Sequence, residues 1–128
     1  MHIRRYTIAV TTAADGTATA YSQGTANGRV YQVCYVPHAT TPLDTGADII
    51  LTGNTSGVIV LDLDNIGTTA FTSAPRQATH LASTGAASLY AAGGTAVTDY
   101  VVVADEAFKL TVASGADTKS GTFYVYVG

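Results

Sequence analysis

Two aspartates, Asp62 and Asp64, stand two apart in the run VLDLDN. On a β-strand that spacing places both carboxylates on one face, roughly 7 Å apart. Such a pair suits acid–base work on a glycosidic bond, or two corners of a calcium site. The flanking residues supply neither a third ligand in loop geometry nor an Asp-x-Asp-x-Asp-Gly pattern. The pair therefore reads as a solvated strand face, or as an edge kept from pairing by its charge. His80 follows Arg76 by four residues in PRQATH, but a nucleophilic triad needs an activated Ser or Cys and an orienting acid as well. No Gly-x-Ser-x-Gly elbow occurs in the chain. Cys34, the single cysteine, has no partner for an internal disulfide and sits in the apolar run 30–36, so it reads as a small buried hydrophobe. Gly93 and Gly94 lack the preceding strand and following helix that a phosphate-binding loop requires, and read as a turn. Tyr31, Tyr35, Tyr124 and Tyr126 suit either an aromatic platform for a sugar or partner, or the ordinary business of strand formation. No catalytic residue, cofactor site or metal-ligand set emerges, and the expected protein is not an enzyme.

The elements that position these residues follow from composition. Of 128 residues, 21 are Ala and 21 are Thr, against one Glu (Glu106) and two Lys (Lys109 and Lys119). Straight-chain helix formers are scarce, while Thr, Val, Ile and Tyr favour a pleated, half-buried surface. Charged residues make up 12% of the chain, too few to cover a small domain with ionic side chains. Part of its apolar or Thr/Ala surface is therefore expected to meet another protein. A net charge of −3 with six scattered basic residues argues against nucleic acid, which needs a dense basic face. Neither a signal-peptide core nor an 18-residue apolar run is found, so no membrane partner is expected and synthesis in a cytoplasm is.

Residues 3–11 alternate as a strand up to the turn signal Asp15-Gly16, and a second strand is expected at 17–22. Asn27-Gly28 reads as another turn. The segment 29–36 is apolar on both faces, which suits a central strand packed on two sides. After the loop 38–46, strands at 48–52 and 58–64 flank the turn 53–57 as a hairpin. Strands return at 100–104, 107–113 and 121–127, with Phe108, Leu110 and Val112 on one face, as are Phe123, Val125 and Val127. Between the strands at 58–64 and 100–104, the segment 65–99 is irregular, and 87–92 is left open between a helical turn and a short strand. The chain thus predicts one all-β domain over 1–128, an antiparallel β-sandwich or jelly-roll-like fold of seven to nine strands with little helix.

The irregular segment 65–99 is long for a compact domain and carries Arg76 as its lone charge before Asp99. Contacts with a neighbouring subunit are expected to supply its missing burial and to satisfy its free backbone groups. Phe71, Arg76, His80, Leu89 and Tyr90 are the expected contacts, with Phe71 and Tyr90 as apolar anchors and Arg76 as a planar donor. The alternative surface is the face bearing Tyr124 and Tyr126.

The stretches MHIRRYTIAVTTAADGTATAY, PLDTGADIILTG, PRQATH, LYAAGGTAV and KSGTFYVYVG resemble a largely uncharacterised group of small virion proteins of tailed bacteriophages and prophages. The resemblance runs over nearly the whole chain and transfers no site residue. It implies a virion structural component, similar in role to capsid decoration (cement) proteins that sit on the major capsid protein lattice, often as trimers. The implied partners are the major capsid protein or other virion proteins and further copies of the chain. The implied location is the virion after synthesis in the bacterial host cytoplasm. Ala/Thr/Gly-rich β domains poor in Lys and Glu also suit packing into symmetric assemblies. Alternative roles are a receptor- or carbohydrate-binding module of the tail or baseplate, and a head–tail connector or tail component.

Overall fold

The computed structural model describes residues 2–128. It contains ten strands: β1 (Arg4–Thr11), β2 (Ala18–Tyr21), β3 (Ala26–Pro37), β4 (Asp48–Gly53), β5 (Ile59–Leu63), β6 (Phe71–Ser73), β7 (Arg76–Ala78), β8 (Thr98–Glu106), β9 (Phe108–Ala113) and β10 (Ser120–Val127). They form two antiparallel sheets, one in the order β1-β10-β3-β8-β7 with β6 also paired to β3, the other in the order β2-β9-β4-β5. The fold is all-β and consistent with a sandwich, as the composition predicts. The strand number exceeds the expected seven to nine because β6 and β7, three residues each, are too short to leave a period-two signal.

One apolar cluster joins the two sheets. Ile8 and Val10 of β1, Phe123, Val125 and Val127 of β10, and Val101 and Val103 of β8 pack with Phe108, Leu110 and Val112 of β9 and Ile49 and Leu51 of β4. Alternation does this work: β9 and β10 bury every second residue, which sends Tyr124 and Tyr126 to the opposite face. Tyr35 is 1% exposed; its ring stacks on Phe123 with centroids 4.8 Å apart, and its hydroxyl accepts a hydrogen bond from the Leu43 amide at 3.2 Å. Burial pushes that hydroxyl above its ordinary pKa of 10.0.

Register shifts account for three departures from expectation. Against β10, Tyr126 pairs with Gln32 and Val127 with Val30, so Tyr31 is an extra residue in β3. Val30, Val33 and Tyr35 thereby share the core face, while Cys34 turns outward, half-buried, with its sulfur 3.7 Å from Thr72 Oγ1. Cys34 is not the core residue expected, and β3 is packed on one face rather than two. Asn27-Gly28 is not a turn. It lies within β3 opposite a bulge in β8, where Asp105 is the extra residue and its amide donates to Asn27 Oδ1 at 2.8 Å. Gly28 has φ +126°, and a Cβ there would lie 2.7 Å from the Gly128 carbonyl oxygen, so this close approach of two backbones requires glycine.

Candidate interaction site

Beyond β6 the chain leaves the sandwich. From Ala74 to Asp99 only Pro75 is buried, yet the segment is a built arm rather than an unstructured connection. At its root β7 pairs with the start of β8 through Arg76–Tyr100, Gln77–Asp99 and Ala78–Thr98. The Arg76 guanidinium lies 4.8 Å from the Tyr100 ring centroid and donates to the Thr98 hydroxyl and carbonyl at 3.3 and 3.2 Å. Tyr100 in turn packs edge-on against Tyr31 at 4.9 Å. A cation–aromatic column therefore fixes the arm to the sheet.

Three backbone segments meet further out in a closed cycle. The Thr79 amide donates to Val97 O at 2.9 Å, Val97 to Ser88 O at 2.8 Å, and Ser88 to Thr79 O at 2.9 Å. Bridges His80–Ala87 and Leu89–Ala96 extend the cycle on either side. The half-buried residues inside are Ala78, Thr79, Ser88, Ala96 and Val97, small enough for three backbones to converge. Gly85 (φ +74°) and Gly93 (φ +69°) make the two reversals. The stretch 87–92, left open between helix and strand, carries two bridge residues and no helix. Part of this segment's backbone is thus bonded within the chain, by the amides of Thr79, Ser88 and Val97 and by those of Leu81, Gly85, Tyr90 and Gly94 around them.

Side chains on the arm remain uncovered. Tyr90 is 75% exposed, Leu81 49% and Leu89 44%. Residues 77–98, twenty-two in all, include no Asp, Glu, Lys or Arg. An ordinary soluble surface of that length carries about six charges, so this arm is unusually poor in charge for an exposed segment.

The residues singled out from sequence divide between two surfaces. Arg76, His80, Leu89 and Tyr90 belong to the arm, although Arg76 is spent on Tyr100 and Thr98 and His80 stands exposed beyond it. Phe71, Tyr124 and Tyr126 are outside the arm and line a groove with Cys34, Val36 and Thr72 on the outer face of the larger sheet. Phe71 also packs on the core and tilts against Tyr35 at 5.6 Å, so it is an end cap of the sandwich as much as a surface anchor. Of the four tyrosines read as a platform, Tyr35 is interior and Tyr31 belongs to the arm root. Only Tyr124 and Tyr126 remain together, and the Arg5 guanidinium sits 4.7 Å from the Tyr124 ring centroid. Leu81 and Tyr100 were not singled out; Leu81 follows His80 in a segment without periodicity, and Tyr100 opens a strand that otherwise reads as plain valine core.

Asp62 and Asp64 are exposed, Asp62 on β5 and Asp64 just past it. No three His, Cys, Asp or Glu side chains are grouped as a metal site among the described residues.

No family model matches this chain, and no curated protein matches it. Among solved structures it is similar to a crystal structure of FLHE, at 12% identity and a TM-score of 0.45 over 99% of this chain and 96% of that one. A likeness of that size transfers no function.

Proposed function

We propose that this protein is a non-enzymatic structural component of a tailed-phage virion, a capsid decoration protein that docks on the shell lattice through its arm. The virion setting is supported by the resemblance of its sequence stretches to small virion proteins. The docking role is supported above all by one observation: an internally bonded arm that projects from the sandwich with twenty-two uncharged residues and Leu81, Leu89 and Tyr90 in solvent. A rigid arm with apolar tips loses little conformational entropy on binding. Its mechanism is mass action: a protein that binds the assembled shell and not its dissociated subunits stabilises the shell by about 2.7 kcal/mol per site at a free concentration of 100 Kd.

Quantitative mass spectrometry of purified virions tests this reading. A copy number in lattice proportion to the major shell subunit is the expected result. Absence from the particle, or a number matching a single ring at the tail, overturns the capsid role. The second reading, a tail module that recognises a sugar or receptor, is supported by the Tyr124–Tyr126 groove. It predicts low copy number together with binding to cell-surface glycans that is lost in Tyr126→Ala.

A further inference from the structure

The two sheets end in edges of opposite charge. β1 closes the larger sheet and β5 the smaller, and neither has a strand on its outer side, so each presents an unpaired row of backbone donors and acceptors. Beside β1 runs a groove lined by Arg4, Arg5, Tyr6, Thr7, Tyr21 and Gln23, along with Ala9. It gathers two of the six basic residues of a chain whose net charge is −3, and no carboxylate lines it. Successive residues of a strand point to opposite faces, so Arg4 and Arg5 flank the β1 edge on both sides. The stack on Tyr124 holds Arg5 there. Along β5 the exposed charges are Asp62 and Asp64. Apolar side chains accompany both edges: Ile3 and Tyr21, 52% and 53% exposed, near β1, and Ile50 and Ile59, 40% and 56% exposed, at β5.

We propose that the free edge of β1 and its groove take the acidic edge strand β5 of a second copy of this chain, so that the protein self-associates head to tail by strand addition. Charge complementarity selects the pairing. Two β1 edges would set arginines against arginines and two β5 edges aspartates against aspartates, both repulsive, whereas β1 against β5 sets Arg5, on the outer face with Tyr124, against the single face that carries Asp62 and Asp64, with Arg4 on the other side of the edge. The same carboxylates that keep β5 from pairing with its like thus address it to the other edge. Main-chain bonds supply the adhesion, and the alternate side chains fix register. Because the two surfaces differ, the contact is heterologous and builds a ring where the rotation closes, or an open chain where it does not. The arm takes no part, and this contact does not depend on the capsid reading.

Sedimentation velocity over a range of concentrations tests the proposal on the intact chain, its two surface variants and their mixture. The wild type is expected to associate, less so in high salt. Arg4→Glu/Arg5→Glu and Asp62→Asn/Asp64→Asn, each checked for an unchanged circular dichroism spectrum, are each expected to weaken association by at least about tenfold. Mixed together they form a one-to-one dimer and nothing larger, since each retains one intact surface. A wild type that stays monomeric throughout overturns the proposal. So does association unchanged in both variants, or a mixture that fails to pair. Arm substitutions such as Leu89→Ser leave these results unaltered, so failure here is distinct from failure of the capsid reading.

Discussion

Glu106, the single glutamate of the chain, is 4% exposed, and its carboxylate clamps the turn between β4 and β5. Oε1 accepts from the Thr55 amide at 3.0 Å, the Ser56 amide at 3.0 Å and the Ser56 hydroxyl at 3.1 Å. The bond from the Ser56 backbone, the largest cause, holds the carboxyl below its ordinary value of 4.5 against the opposing effect of burial. A folded-state value below the unfolded one means that the unfolded chain takes up the proton first. The clamp's contribution is therefore fully present above the unfolded value and is lost as pH falls through the folded one. Denaturant titrations should find Glu106→Ala destabilised by about 1–3 kcal/mol at neutral pH, because three donors lose their acceptor. The gap from wild type should shrink in acid. An effect independent of pH would show that the carboxylate's charge plays no part. At this scale the sequence was a partial guide. Cys34 reads as interior from its place in the apolar run 30–36, and strict alternation would put it on the face of Val30, opposite Val33 and Tyr35. The extra residue Tyr31 breaks that alternation and groups Val30 with Val33 and Tyr35 instead. A bulge is set by pairing across the sheet, which the local pattern of β3 does not record.

Among the elements, the arm is where sequence reasoning stopped short. Its emptiness of charge was legible, and so was its candidacy as a contact segment. Its architecture was not, because a three-segment cycle of Ala, Ser and Thr has neither the period of a strand nor that of a helix. The root should behave as a hinge clamp. Removing the Arg76–Tyr100 contact with Arg76→Ala costs about 0.5–1 kcal/mol locally, so limited proteolysis should cut faster within 82–86 while the global unfolding midpoint stays within error. Unchanged cleavage would mean that the β7–β8 ladder alone holds the arm. At the tip, Leu89→Ser with Tyr90→Ser removes exposed side chains without touching the core. Free-protein stability should move by no more than about 0.5 kcal/mol, whereas affinity for shell particles should fall by about 2 kcal/mol or more, as for central anchors of an interface.

For the whole molecule, the sandwich was the most legible level. The alternation of β1, β9 and β10, the β4–β5 hairpin and the shortage of helix formers were each sufficient to place a buried face, and the single cluster across both sheets follows from them. Phe123→Ala, which empties the space against Tyr35 and Val125 at the centre of β10, should cost about 3–5 kcal/mol in a denaturant titration. A cost under about 1 kcal/mol would contradict a core centred there. Which surface of the sandwich is used is a different kind of question, since it depends on relations between faces that only the fold brings into being. In the capsid reading the arm is that surface. Hydrogen exchange, measured by mass spectrometry on the free protein and on the protein bound to virion particles, addresses it most directly. The amides of Thr79, Leu81, Gly85, Ser88, Tyr90, Gly94 and Val97 are bonded within an exposed segment of the chain, so they should exchange by local opening in the free protein and become strongly protected on the particle. Equal exchange of this segment in both states, with new protection on the Tyr124 and Tyr126 face instead, would contradict it.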